Sequence, residues 1–407
     1  MFRSFTQLAE IVPSRIFLSF FRSERAGGLV LFLGTVASLL LANSGWSEGY
    51  RALWHTPVFQ HSLVHWINDG LMAIFFLMIG LELEREIYRG ELSDLRNAAL
   101  PLMAALGGML IPAALFSLVA FSTPAQDGVG IPMATDIAFA IGVLSLLGNR
   151  VPASLKVFLT ALAVADDLGA ILLIAVFYTQ SLALGYLLGA LAVFGALLLL
   201  GRLGVKLLLP YLLGGCLMWF LMLQSGVHAT LAGVLLAFTI PFGDGTEGSA
   251  SCRVLLFLHK PVAFVILPMF AMANTALVIP AQWYSGLASH ESLGILLGLV
   301  LGKPLGVLLF SMLSVGLGMA VLPRGVRWRH IAGIGSLAGI GFTMSIFVTL
   351  LAFQDAVMVD HAKIAILLSS VASGVFGWLL LSLTLPRLPR GASRSEESES
   401  SGHAPCS

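Results

Sequence analysis

The sequence predicts an all-α polytopic membrane protein with twelve transmembrane helices. Composition points first to that class: 58% of the 407 residues are hydrophobic and only 11% are charged. Apolar stretches long enough to cross a hydrocarbon core of about 30 Å recur along the chain. The basic residues between these stretches alternate from side to side. With a mean hydropathy of +0.95, a soluble chain of this length lacks the charge to cover its surface. No ten-residue alternating strands recur, so helices are the expected spanning element.

The apolar stretches lie near 27–43, 67–83, 97–120, 129–147, 153–177 and 182–200. The second six lie near 206–222, 226–240, 254–276, 292–314, 331–353 and 360–383. With the N-terminus placed in the cytoplasm, 19 of the 22 basic residues fall on the cytoplasmic side. They include Arg85, Arg89 and Arg96; Arg150 and Lys156; Arg202 and Lys206; Arg324, Arg327 and Arg329; and Arg387, Arg390 and Arg394. The other side holds Arg51 and Lys363, and Lys303 lies inside a span. This split predicts an even number of crossings with both termini cytoplasmic.

Residues 1–26 carry Arg3, Arg15, Arg22 and Arg25, with no small-residue cleavage site behind a short apolar core. They are expected to form a cytoplasmic amphipathic lead-in rather than a cleaved signal. Residues 27–383 form the twelve-helix domain, and the Ser- and Glu-rich stretch 384–407 is expected to be a disordered cytoplasmic tail. The segment from Trp46 to His65 is the longest external connection before the second span, and its residues do not specify a structure. Cys216, Cys252 and Cys406 have neither disulfide nor zinc spacing. Dispersed basic residues exclude a nucleic-acid surface, and no cofactor motif occurs.

Function is expected where charge sits inside an apolar span. Asp136, Asp166, Asp167 and Lys303 do so, and each costs roughly 2.5–3.5 kcal/mol on insertion scales. Lys303 lies about twelve residues, or roughly 18 Å, inside its span, beyond the reach of a stem of about 6 Å. It therefore needs an anion or a water cavity, and a purely structural ion pair is the competing reading. Asp166 and Asp167 point about 100° apart on a helix, so one can face a cavity and the other a partner helix. An apolar site disfavours a bare carboxylate. Lys303 can hold one of the pair ionised while the other takes a proton or a small cation. Carboxylates, a hydroxyl and carbonyls are the hard oxygen donors such a cation prefers, and no His or Cys in the span suggests a transition metal.

Asp136 follows Gly130, Pro132 and Thr135, and Gly335, Gly339 and Gly341 precede Thr343. Both patterns predict a helix interrupted within the membrane, in spans four and eleven. Paired interruptions in corresponding halves point to a transporter site. Opposed half-helix ends would need Asp136 against the positive end and Lys303 against the negative one. Asn68, Asp69, Glu82, Glu84, Arg85 and Glu86 lie at the ends of the second span, where they anchor at the interface or, alternatively, form a cytoplasmic funnel for cations. His228 and His259 read as packing or interfacial residues, with His55, His61 and His65 in the external loop.

Several stretches together make the chain resemble the NhaA-type sodium/proton antiporters of bacterial inner membranes. They are WINDGLMAIFF (66–76), GLELERE (80–86), GIPMATDIAFAIGVL (130–144), LAVADDLGAILLIA (162–175), SGVHATLAG (225–233), GKPLG (302–306) and GIGFTMS (339–345). The resemblance runs from about Gly27 to Leu383. It implies an NhaA-like fold of inverted repeats in which spans three to five and ten to twelve cross at their interrupted helices. It also implies electrogenic exchange of Na+ or Li+ for external H+, by alternating access in the inner membrane. By position, Asp166 and Asp167 match the family's cation- and proton-binding pair. Thr135 and Asp136 match the interrupted-helix residues beside it, and Lys303 the counter-charge.

Two departures accompany the match. Val254, Leu255 and Leu256 stand where the family's pH-response region has Leu-Glu-His, and His259 is retained. Glu84 stands where the family is usually basic, while Glu82, Arg85 and Glu86 match. The resemblance thus implies the transport chemistry and leaves the family's alkaline activation open. The external segment is shorter than the family's dimer-forming hairpin, which leaves a homodimer open. A passive cation channel or a transport-dead sensor on the same fold are the alternatives. The first would lack proton counter-movement, and the second would tolerate loss of Asp167.

Overall fold

The structure is a computed structural model describing residues 15–90, 93–179, 182–243, 249–323 and 325–386. Expectations for residues 1–14, Arg324 and the tail 387–407 fall outside the described residues, as do the side chains of Arg15, Arg22, Arg25 and Arg96.

The chain is almost entirely helical. α1 (Arg15–Ala42) is followed by the short α2 (Ser47–His55), set at 117° to it. A two-residue antiparallel hairpin comes next, β1 (Pro57–Val58) paired with β2 (His61–Ser62), its turn carrying Phe59 at φ 58°. This is the local structure of the segment that composition left open. α3 (Leu63–Arg89), α4 (Leu95–Ala120), a 3-10 segment (Pro124–Met133), α5 (Ile137–Ser145) and α6 (Ala153–Phe177) follow. Then come α7 (Leu184–Arg202), α8 (Leu208–Ser225), α9 (Leu231–Ala237), α10 (Ala250–Asn274) and α11 (His290–Gly316). α12 (Trp328–Ala338), α13 (Phe342–Ala352) and α14 (Ala356–Thr384) complete the described chain.

Eight of these helices are continuous and apolar enough to cross a membrane, and bent pairs raise the number to as many as eleven among the described residues. The chain is a multi-pass membrane protein. The expected span at 226–240 is where structure and expectation differ. There Gly226 ends α8 in the left-handed conformation at φ 82°, and α9 has seven residues, about 10 Å of helix. α9 is sunk against α3 instead: a Cβ on Gly233 would strike the Ala73 carbonyl, and one on Gly80 would strike Ala237.

Glycines also set the contact between α4 and α11. Gly298, Gly302 and Gly306 recur every fourth residue. Their Cβ atoms would meet Pro132, Pro112 and the Gly107 carbonyl respectively. Small residues at this spacing bring membrane helices into backbone contact, where packing replaces the hydrophobic drive that lipid removes. α11 is wound as a π-helix over Gly298–Gly302, and α10 over Val262–Ile266. Each π-turn is followed two residues later by a proline, Pro304 and Pro268. A proline collides with the carbonyl four residues back and offers it no N–H. Widening the preceding turn moves that carbonyl aside.

α13 lies at the centre of the bundle. Phe347 packs on Phe76 of α3 and Phe270 of α10, with ring centroids 5.3 and 6.3 Å away, and Phe342 packs edge-on to Phe139 of α5 at 5.2 Å. α14 is held at its C-terminus, where Arg150 donates to the carbonyls of Ser382 (2.6 Å) and Leu385 (2.9 Å). The His330 ring Nε2 lies 3.3 Å from the Thr384 carbonyl oxygen. Basic side chains there satisfy carbonyls that the helix leaves open.

Gly306→Val is expected to lower the thermal midpoint in detergent, because the Gly107 backbone opposite cannot retreat; overpacking of this kind costs about 1–3 kcal/mol. Gly195 on α7 has nothing within 4 Å of its Cβ position, and Gly195→Ala should leave the melt unchanged or raise it. Equal melts for the two variants would contradict the close α4–α11 contact.

Candidate functional site

The site is built where two helices stop. The 3-10 segment ends at Met133 and α5 begins at Ile137, with their axes bent by 44°; α12 and α13 are bent by 48° across Gly339–Gly341. The two breaks touch. The Asp136 N–H donates to the Ile340 carbonyl at 2.7 Å, and a Cβ on Gly341 would press on the Ala134 carbonyl. Gly339 is packed against the Leu299 carbonyl and the Ser373 hydroxyl. Neither glycine needs a positive φ, at −68° and −96°. Close approach of backbone is what excludes a side chain.

Broken helices expose N–H groups at one end and carbonyls at the other. Asp136 meets the first need. Its Oδ1 accepts from the Phe139 N–H at 3.0 Å, capping α5, and its Oδ2 accepts from the Thr343 N–H (2.9 Å) and hydroxyl (2.5 Å) at the start of α13. Lys303 meets the second need by donating to the Met133 carbonyl at the end of the 3-10 segment. The same ammonium pairs with Asp166 Oδ2 at 2.8 Å, both side chains fully shielded. Thr135 completes the join: its hydroxyl lies 2.7 Å from Asp166 Oδ2 and 3.0 Å from the Ala338 carbonyl.

Asp136, Asp166, Asp167, Thr135, Lys303, Gly339, Gly341 and Thr343 are therefore brought into one cluster. Their local bonding differs. Both oxygens of Asp136 are engaged as caps, whereas Oδ1 of Asp166 and Oδ1 of Asp167 are buried with no hydrogen-bond partner. Two orphaned carboxylate oxygens on adjacent residues are hard acceptors left unmet, and a buried oxygen of this kind is costly to leave so. Asp166, Asp136, Glu82 and Lys303 all lie within electrostatic reach of Asp167.

Glu82 is buried on α3 and lies within electrostatic reach of Arg85 and Glu86. Arg85 pairs with Glu86 at 3.2 Å. An acidic line thus runs from the end of α3 towards Asp167. Glu84 accepts from the Ser251 hydroxyl at 3.0 Å. His259 is buried on α10 nearby in sequence to Leu255, which is also buried, whereas Leu256 is exposed. At the opposite end of α3, Asn68 and Asn274 exchange amide hydrogen bonds, and Asp69 pairs with His65 at 3.3 Å. His61 stacks on His65. Among the described residues, no three His, Cys, Asp or Glu side chains converge as a metal site.

Sequence reading missed the Asn68–Asn274 pair, the Ser251–Glu84 bond and the Gly298–Gly302–Gly306 stripe that seats Lys303. Only the stripe had a signal, its four-residue period. The other two join residues far apart in the chain.

Residues 18–381 match the model of the family described as Na+/H+ antiporter 1. The chain belongs to that family. Among its relatives in this antiporter family, Na(+)/H(+) antiporter NhaA 1 of Flavobacterium johnsoniae is 59% identical over 368 residues, covering 90% of this chain and 97% of the relative. The NhaA of Dechloromonas aromatica is 59% identical over 373 residues, covering 91% and 96%. NhaA 2 of Pseudomonas syringae pv. syringae is 50% identical over 368 residues, covering 89% and 93%.

Lys303→Met should destabilise the fold by about 3–5 kcal/mol, because it strands the Asp166 carboxylate. The double variant Lys303→Met/Asp166→Leu should recover most of that loss. Thermal unfolding in detergent checks both, and a double variant no more stable than the single would contradict the pairing.

Proposed function

We propose that the chain exchanges Na+ or Li+ for protons, exporting the cation from the cytoplasm at the expense of an inward proton gradient. The observation that carries this reading is the pair of buried, unpartnered oxygens on Asp166 and Asp167, beside one ammonium that pairs with only one of the two residues. Family membership supports it, since the relatives are named as Na+/H+ antiporters.

Asp167, with no cation directly paired to it, takes a proton or a cation. Asp166 exchanges Lys303 for the incoming ion or proton. Thr135 and neighbouring carbonyls supply further hard oxygens, with water completing the shell. Because proton and cation compete for the same oxygens, coupling needs no second device. Two carboxylates against one monovalent cation leave room for more than one proton per Na+, hence for net charge movement. Glu82, Arg85, Glu86 and His259 are read as the cytoplasmic approach.

In the same reading the fold is a set of inverted repeats with twelve crossings, α9 and its flanking turns making the short one. The broken pairs cross at the site, and one repeat rocks against the other to alternate access. The domain spans residues 27–383 between a lead-in at 1–26 and a tail at 384–407, with both termini cytoplasmic in the bacterial inner membrane.

In proteoliposomes holding an acid interior, added Na+ or Li+ should discharge the pH gradient, and Asp167→Asn should reduce that rate to background. Sodium flux without proton movement would instead indicate a passive channel, and normal exchange by Asp167→Asn would overturn the site. Lowering the pH by one unit within the competing range should raise the apparent KM for Na+ by up to about tenfold per competing proton, with the maximal rate little changed. A KM independent of pH, measured by the same assay, would contradict competition.

A further inference from the structure

The π-turn of α11 leaves one carbonyl without its backbone donor. The Lys303 N–H reaches back five residues to the Gly298 carbonyl. In that register the next carbonyl, that of Leu299, would be met by the N–H of residue 304. Residue 304 is proline and has none. Leu299 is fully buried, so its oxygen is costly to leave unmet unless another group reaches it.

Two groups from other elements do. Ser373, in the middle of α14 and 2% exposed, donates its hydroxyl to the Leu299 oxygen from 3.4 Å, long for a hydroxyl donor. Gly339, at the break after α12, lies over the same oxygen, since a Cβ there would collide with it and with the Ser373 hydroxyl. A carbonyl oxygen has two lone pairs and can take both contacts, the second of the Cα–H kind. α10 offers a comparison. Its π-turn closes with the Leu267 N–H on the Val262 carbonyl, and Pro268 leaves the Ala263 carbonyl open in the same way. Gly27 of α1 stands over that oxygen, which would lie 3.3 Å from its Cβ. Both turns have a glycine cover, and the turn that precedes Lys303 has a hydroxyl as well.

We propose that Ser373 is a positioning residue for Lys303, its hydroxyl supplying the donor that Pro304 withholds from Leu299 and so holding the π-turn. A π-turn carries one extra residue, and rewinding it as α-helix swings everything beyond it by about 100°. Lys303 is the first residue beyond it. Its ammonium meets both Asp166 Oδ2, at 2.8 Å, and the Met133 carbonyl. The junction touches both breaks: Gly298 packs on Pro132, and a Cβ on Gly341 would meet the Leu299 side chain at 3.1 Å. One hydroxyl on α14 thereby joins the break of α12 to the aim of the counter-charge. Without it Lys303 spends less time on Asp166, and that carboxylate is freer to take either a proton or a cation. The further charged groups around the pair are Asp167 on α6, Asp136 at the start of α5 and Glu82 on α3.

The proposal rests on the antiport reading, and its first test needs no transport. Thermal unfolding in detergent is compared for Ser373→Ala, Pro304→Ala and the double variant. Pro304→Ala restores an N–H within reach of Leu299, so the loss caused by Ser373→Ala should shrink in that background. Losses that simply add overturn the tie. In proteoliposomes, Ser373→Ala should move the pH below which protons raise the apparent KM for Na+ upwards by about half a unit or more. Ser369→Ala removes a buried hydroxyl bonded within its own helix to the Ala365 carbonyl, and should leave that profile in place. A profile unmoved by Ser373→Ala, or moved equally by Ser369→Ala, overturns the positioning role. Na+-driven proton movement by the unmodified protein reports separately on antiport, so either reading can fail alone.

Discussion

The ammonium of Lys303 stands where two negative demands meet, the Met133 carbonyl at the end of the 3-10 segment and the Asp166 carboxylate at 2.8 Å. Stopping two helices inside an apolar medium leaves backbone groups that water cannot reach, each costly to bury unmet. Asp136 answers the N–H ends of α5 and α13, and Lys303 answers the carbonyl end. Asp136 and Lys303 thus meet backbone groups that the broken elements leave open at mid-bundle. The glycine stripe of α11 flanks Lys303 and lets α11 close on α4 and on Pro132, the residue before Met133.

This arrangement divides the acidic residues by role. Asp136 has both oxygens engaged as a shared cap, which makes it a structural tie between the two breaks. Asp166 is half engaged, by Thr135 and Lys303. Asp167 lies beside them without a direct cationic partner among the described residues. In the proposed exchange, protons and cations are taken up where the network is incomplete, and the completed part holds that gap in register. The breaks also provide a place for motion, because a few hydrogen bonds, rather than continuous helices, connect the halves of each pair.

The four intramembrane charges were legible in the sequence because lipid penalises each of them and nothing nearby in the chain offset the penalty. The breaks were legible from Pro132 and from Gly339 and Gly341, residues that weaken or end helices. What each charge touches was not legible: Asp136 and Thr343 are 207 residues apart, and periodicity carries no information on such pairing. The shortness of α9 within the span expected at 226–240 was not legible for a related reason, since hydropathy registers burial in protein and burial in lipid alike. The π-turns before Pro268 and Pro304 escaped notice because apolar composition continues unbroken through them.

The central claim is that one set of oxygens holds either protons or a cation, and proton release on cation binding tests it most directly. Na+ titrated calorimetrically into the detergent-solubilised protein, in buffers of differing ionisation enthalpy, reports the protons displaced per ion bound. The account predicts release of about one to two protons per Na+, lost in Asp167→Asn. Na+ binding with no proton released, at any pH where exchange occurs, would contradict it.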